Sequence, residues 1–253
     1  MLGSPPRGPR NSWGGPASFS RTRIKICGIT REEDLDAALA AGADAVGFVF
    51  YPPSPRCLTP LRAAELARRV PPFVSRVGLF VNEDSVSVAA TLEIVPMEVL
   101  QFHGEEDASY CEAFGKSYIK AARIITAPGA PLRVASPPLG AAKPLGRPGG
   151  FLGPGLDLVE FARSFPSAQA LLLDAYAESY GGAGQVFDWS LIPDNLPLPM
   201  ILSGGLTAGN VEEAICRLRP WAVDVSSGVE LAKGIKDAAK IAAFVAAVKN
   251  ADT

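Results

Sequence analysis

The chain has 253 residues, 48% hydrophobic and 20% charged, with 24 lysines and arginines against 26 aspartates and glutamates, a formal charge of −2. That composition excludes a disordered chain, and the near-neutral balance lacks the basic excess of a nucleic-acid surface. A single histidine, His103, excludes a zinc site with two or more histidine ligands and any paired-histidine acid/base mechanism.

Residues Met1 to Arg23 stand apart: four arginines, no acidic residue, many Gly, Pro and Ser. Such a stretch has the style of an organelle transit peptide, or else is a flexible extension or the product of a misplaced start codon. We take residues 1–22 as a flexible extension and 23–253 as one barrel domain. Without the four arginines the body carries 20 basic and 26 acidic residues, hence −6. Cys27, Cys57, Cys111 and Cys216 form no CxxC pair, which points to reduced thiols and a cytoplasmic protein, with an organelle such as the plastid as the alternative. No stretch approaches ~20 uninterrupted apolar residues, so no membrane span is expected.

From Arg23 onward, β-rich runs alternate with helical ones. Strands are expected at Ile24–Cys27, Ala45–Phe50, Arg76–Val81, Glu98–Phe102, Tyr118–Ala122, Ala170–Asp174, Pro199–Ser203 and Ala222–Val225. Helices are expected at Glu32–Ala41 (ended by Gly42), Leu61–Val70 (ended by Pro71 and Pro72), Val86–Leu92, Glu105–Phe114, Leu156–Phe165, Asp188–Ile192, Asn210–Leu218 and Lys236–Val248. Eight β/α units predict an α/β fold with a parallel sheet closed into a single (β/α)8 TIM barrel. The rival open, doubly wound sheet usually carries a GxGxxG turn after its first strand, where this chain reads Cys27-Gly28-Ile29-Thr30. Thr126 to Pro154, rich in Pro, Gly and Ala, reads as a long flexible insertion after the fifth strand.

Functional groups of such a barrel stand at the C-terminal ends of its strands. Alternation puts Lys25 and Cys27 on the inner face of strand one, and Leu172 and Asp174 on that of strand six. Asp174 ends an apolar run, so it needs a partner or a task; a salt bridge to Lys25 is one reading. His103 follows strand four and is either a rim residue or a binding one. Glycines in Ser203-Gly204-Gly205 and Ser226-Ser227-Gly228 let backbone N–H groups approach an anion after strands seven and eight, a frequent phosphate site in barrels. Strand eight also carries Asp224. Arg56, in Pro52-Pro53-Ser54-Pro55-Arg56, is held by a proline-stiffened loop and is either a carboxylate clamp or a solvated surface arginine.

Several stretches resemble phosphoribosylanthranilate isomerases of tryptophan biosynthesis. They include Lys25-Ile26-Cys27-Gly28-Ile29-Thr30, Ser54-Pro55-Arg56, Leu100-Gln101-Phe102-His103-Gly104, Leu172-Leu173-Asp174, Tyr180-Gly181-Gly182-Ala183-Gly184, Phe187-Asp188-Trp189, Leu202-Ser203-Gly204-Gly205-Leu206 and Val223-Asp224-Val225-Ser226-Ser227-Gly228-Val229-Glu230. The resemblance runs from about Arg23 to Val248 and breaks at Thr126 to Pro154. It implies an Amadori rearrangement of N-(5′-phosphoribosyl)anthranilate with Asp174 as general acid and Cys27 as general base. It further implies that Arg56 holds the anthranilate carboxylate and that the Gly204-Gly205 and Ser226-Ser227-Gly228 loops hold phosphate, with His103 and Asp224 in the binding site. No cofactor and no metal are expected, the substrate being a small phosphorylated molecule and the assembly a monomer or homodimer. Tyr180 to Gly184 would be a closing loop or a plain turn. Indole-glycerol-phosphate synthase, ProFAR isomerase and a non-catalytic phosphate-ligand-binding barrel are the alternatives.

Overall fold

The computed structural model describes residues 21–125, 133–134, 156–175 and 189–253. Its main strands are β1 (Arg23–Cys27), β2 (Ala45–Val49), β3 (Ser75–Phe80), β4 (Val99–Phe102), β5 (Ser117–Ile125), β8 (Ala170–Ala175), β9 (Met200–Leu202) and β10 (Ala222–Val225). These eight run parallel, and the pairings β4–β5, β5–β8 and β10–β1 close them into a ring. The expected barrel is therefore present, and with it the β/α alternation.

Around the ring lie α1 (Glu32–Ala41), α2 (Pro60–Ala67), α3 (Ser85–Ile94), α4 (Ala108–Glu112), α5 (Leu158–Arg163), α6 (Val211–Leu218) and α7 (Ala238–Ala251). Local chemistry sets their limits. The side chains of Asp84, Asp107, Asp157 and Asp237 accept from free N–H groups at the starts of α3, α4, α5 and α7, each cap contributing about 1 kcal/mol. Gly42, at φ 95°, closes α1 in a left-handed conformation. Where a helix was expected over Asp188–Ile192, a 3-10 turn covers Trp189–Leu191.

The inner face is layered. Ile119, Ala121, Ala170, Leu172, Ile201 and Ala222 fill its lower part. Leu171 and Leu173, on the alternate face of β8, pack instead into the outer core beneath the helices. Above the apolar layer, Lys25 lies opposite Asp224 in the β1–β10 register and pairs with it at 2.7 Å. Cys27, Val49, Leu79 and Val81 form the rim.

Two features depart from the sequence reading. The insertion is not wholly a loop: β6 (Arg133–Val134) pairs antiparallel with the end of β5 and with β7 (Leu156–Asp157). The nine-residue β5 overshoots its neighbours and leaves ladder groups open to pairing, and buried Val134 joins the outer core. The rest of Thr126 to Pro154 lies outside the described residues, as do 1–20. Of the expected extension, Arg21 pairs with Asp44, and buried Thr22 donates through its N–H and hydroxyl to Asp252, both at 2.8 Å. Second, a small hairpin, β11 (Glu230–Ala232) with β12 (Ile235–Lys236), follows β10 before α7.

Candidate active site

The C-terminal ends of the strands enclose a cleft of about 700 Å³, counting space open to solvent, within the range of small-molecule sites. All ten residues singled out from the sequence line it: Cys27, Arg56, His103, Asp174, Gly204, Gly205, Asp224, Ser226, Ser227 and Gly228.

Cys27 is buried at the top of β1, beside Gly47 of β2. A Cβ on Gly47 would stand 2.8 Å from the thiol sulfur, so the glycine makes room for the group. Burial pushes the Cys27 thiol above its ordinary pKa; the Lys25 ammonium pulls it back, and Asp224 pushes it up again. For Lys25, burial alone would lower the pKa, but Asp224 and Cys27 outweigh it and the ammonium is held above its usual range.

Asp174, three strands away around the ring, accepts from His103 Nε2 at 3.1 Å. The Gln101 amide nitrogen donates to His103 Nδ1 at 3.0 Å, which places the ring proton on Nε2, facing the carboxylate. The Lys25–Asp174 salt bridge read from sequence is not formed. The ring sets β1 against β10, so Lys25 faces Asp224 and Asp174 is left to His103. Asp224 is itself engaged on both oxygens, by Lys25 and by the Ser203 hydroxyl at 3.3 Å.

Gly204 and Gly205 turn the chain after β9 at φ 79° and 66°, a region that disfavours side chains. After β10 a 3-10 turn spans Ser227–Val229. A Cβ on Gly228 would lie 1.9 Å from the Leu206 carbonyl oxygen, so the two loops touch backbone to backbone. Clustered N–H groups of this kind suit an anion.

Arg56 enters from the loop after β2 and is largely buried, its stem lying against Gly28. Glu230 takes its Nε and Nη2 at 2.7 and 2.8 Å. Sequence reasoning gave no site role to Gln101, Ser203, Glu230 or Lys236. Gln101 had a usable signal, a polar residue at an inward position of an apolar strand. Ser203 and Glu230 lie within quoted motifs but had no signal of their own, because Asp224 and Arg56, their partners, come from other strands and loops, and Lys236 had none. Tyr180 to Gly184 and Phe187-Asp188 lie outside the described residues.

The family model for N-(5′phosphoribosyl)anthranilate (PRA) isomerase matches residues 24–130 and 152–247, parting at the insertion. N-(5′-phosphoribosyl)anthranilate isomerase of Dechloromonas aromatica (strain RCB) is 60% identical over 232 residues, spanning 92% of this chain and 98% of its own. The isomerase of Methylibium petroleiphilum is 53% identical, at 92% and 96%. The Thermotoga maritima enzyme superposes with TM-score 0.72 at 38% identity, covering 90% of this chain and 99% of that one. A phosphoribosyl anthranilate isomerase solved with reduced 1-(o-carboxyphenylamino)-1-deoxyribulose 5-phosphate gives 0.70 at 36% identity, with the same coverage. The chain belongs to the N-(5′-phosphoribosyl)anthranilate isomerase family.

Proposed function

We propose that this protein converts N-(5′-phosphoribosyl)anthranilate into 1-(2-carboxyphenylamino)-1-deoxyribulose 5-phosphate, an Amadori rearrangement in L-tryptophan biosynthesis. One observation carries the reading within this family. A thiol and a carboxylate face the same cleft from strands three steps apart, and two glycine loops and an arginine line it with them.

In this reading Asp174 protonates the furanose ring oxygen. The bond from that oxygen to C1′ breaks, and the anthranilate nitrogen lone pair forms a C1′=N iminium. The Cys27 thiolate takes the proton from C2′; the C–H electrons make the C1′=C2′ bond, and the iminium π electrons return to nitrogen. The enol hydroxyl then loses its proton while C1′ gains one, which gives the ketone. One proton is given and one taken, so the product is an isomer of the substrate and no redox partner is consumed. His103, donating to Asp174, stabilises the carboxylate left after proton transfer.

Arg56 holds the aryl carboxylate. The N–H groups around Gly204, Gly205, Ser226, Ser227 and Gly228 hold the phosphate. Asp224 braces the floor through Lys25 and Ser203. All four cysteines are free thiols, which supports a reducing compartment, the cytoplasm. The assembly is a monomer or a homodimer; the Thermotoga maritima relative is described as dimeric, with monomers derived from it.

The test is turnover of freshly made substrate in EDTA, followed by loss of its fluorescence. Activity is expected, and its absence above background would leave a binding protein rather than an enzyme. Cys27→Ser and Asp174→Asn should each lower kcat by about 10²–10⁴-fold with little change in KM. A near-normal kcat in either removes that residue from the mechanism.

A further inference from the structure

Beside the cleft lies a buried cluster with more positive than negative charge. Glu230, at the start of β11, accepts from Arg56 Nε and Nη2 and, through Oε1, from Lys236 Nζ at 2.9 Å. Lys236 also donates to the Ser226 carbonyl and hydroxyl, at 3.1 and 3.3 Å. Arg56, Glu230 and Lys236 are 6%, 8% and 4% exposed, so two cations and one anion share a largely dry space. Among the described residues, Arg56 is the one arginine or lysine that lines the cleft.

The geometry of the guanidinium matters here. Glu230 takes the edge formed by Nε and Nη2 and leaves the end-on fork of Nη1 and Nη2, a second bidentate carboxylate site. Glu230 is itself fixed by its hairpin. Its carbonyl accepts from Lys240 Nζ at 2.7 Å, the Thr30 hydroxyl donates to the Gly234 carbonyl at 2.6 Å, and Gly234 abuts the Pro55 carbonyl.

We propose that Glu230 is a positioning and specificity-determining residue: it locks Arg56 so that the free fork meets an aryl carboxylate, and thereby selects substrates that carry one. The proposal rests on the reading of Arg56 as the carboxylate holder. A long arginine side chain loses much rotamer freedom when held, and Glu230 bears that cost before the ligand arrives. Lys236 keeps two acceptors on Ser226 when Glu230 changes, so the phosphate turn retains its support.

The experiment uses the full chain and two competitive inhibitors: the reduced product, and the same compound without its aryl carboxyl group. Wild type should favour the first by about tenfold or more, the effect of one charge-assisted hydrogen-bonded pair. Glu230→Gln turns an amide N–H toward a guanidinium donor, and Glu230→Asp withdraws the carboxylate by one methylene. Each should weaken the carboxylated inhibitor about tenfold, the carboxyl-free one less than about threefold, and raise KM about tenfold with kcat within about threefold. Either variant suffices if the other does not fold. Arg56→Met should abolish the preference, and adding Glu230→Gln to it should change nothing further. Equal weakening of both inhibitors, or of neither, overturns the proposal. A preference that survives Arg56→Met would instead remove the reading of Arg56, and the role of Glu230 with it.

Discussion

Lys25 and Cys27 are two residues apart on one strand, and that spacing sets an ammonium beside a thiol on the inner wall of the barrel. In the proposed mechanism, with Cys27 as the base, the raised thiol has two opposed effects. Its thiolate is scarcer near neutral pH, and each thiolate formed is a stronger base toward a carbon acid. Alkylation of Cys27, followed by peptide mass spectrometry, should therefore reach its half-maximal rate at a pH above the ordinary thiol value of ~8.5. The double exchange Lys25→Met/Asp224→Asn should move that midpoint further up, because Lys25's attraction outweighs Asp224's repulsion at the sulfur. A midpoint at or below the ordinary value would contradict this account of the environment. At this scale period-two alternation placed Cys27 and Asp174 on the inner wall, while Asp224 was read only from its place on the last strand. Alternation could not choose the partner of Lys25. That choice depends on which strand closes the ring, and closure is not a local property. Glu230, though quoted in a motif, and Lys236 had no legible role for the same reason: their hairpin takes its meaning from Arg56, far away in sequence.

Among the elements, the two loops after β9 and β10 depend most on backbone contact. Gly228→Ala would press a methyl group against the Leu206 carbonyl and force the loops apart. We expect KM to rise by about tenfold or more, with kcat changed less, since the proposed phosphate site is away from the carbons that would react. Gly209→Ala is the control: the added methyl would meet Thr207 Oγ1 at 3.7 Å, an ordinary contact, and steady-state kinetics should not move. Equal behaviour of the two variants would show that loop contact does not shape the phosphate site. Most strands and helices were legible from periodicity and from Gly, Pro and Asp signals at their ends. The β6–β7 pairing was not. Two-residue strands carry no period, and they exist because β5 runs past its neighbours.

For the whole molecule, the interior is stratified, with apolar side chains below, one buried ion pair above them, and the cleft on top. Eight β/α units, with no GxGxxG turn after the first strand, made that architecture legible. The base of the barrel is fastened by Thr22 and Asp252. Asp252→Ala removes both bonds and should cost about 1–2 kcal/mol, or about 2–8 °C in Tm by calorimetry, with kcat unchanged. A lower kcat with Tm intact would mean that the fastening reaches the cleft. The same contact has a topological consequence. Residues 22 and 252 meet at the face opposite the cleft, so a short peptide bridging them would make the fold circular. New ends could then be opened in an exposed crossover, and the order of the eight units along the chain would become a matter of choice rather than of architecture.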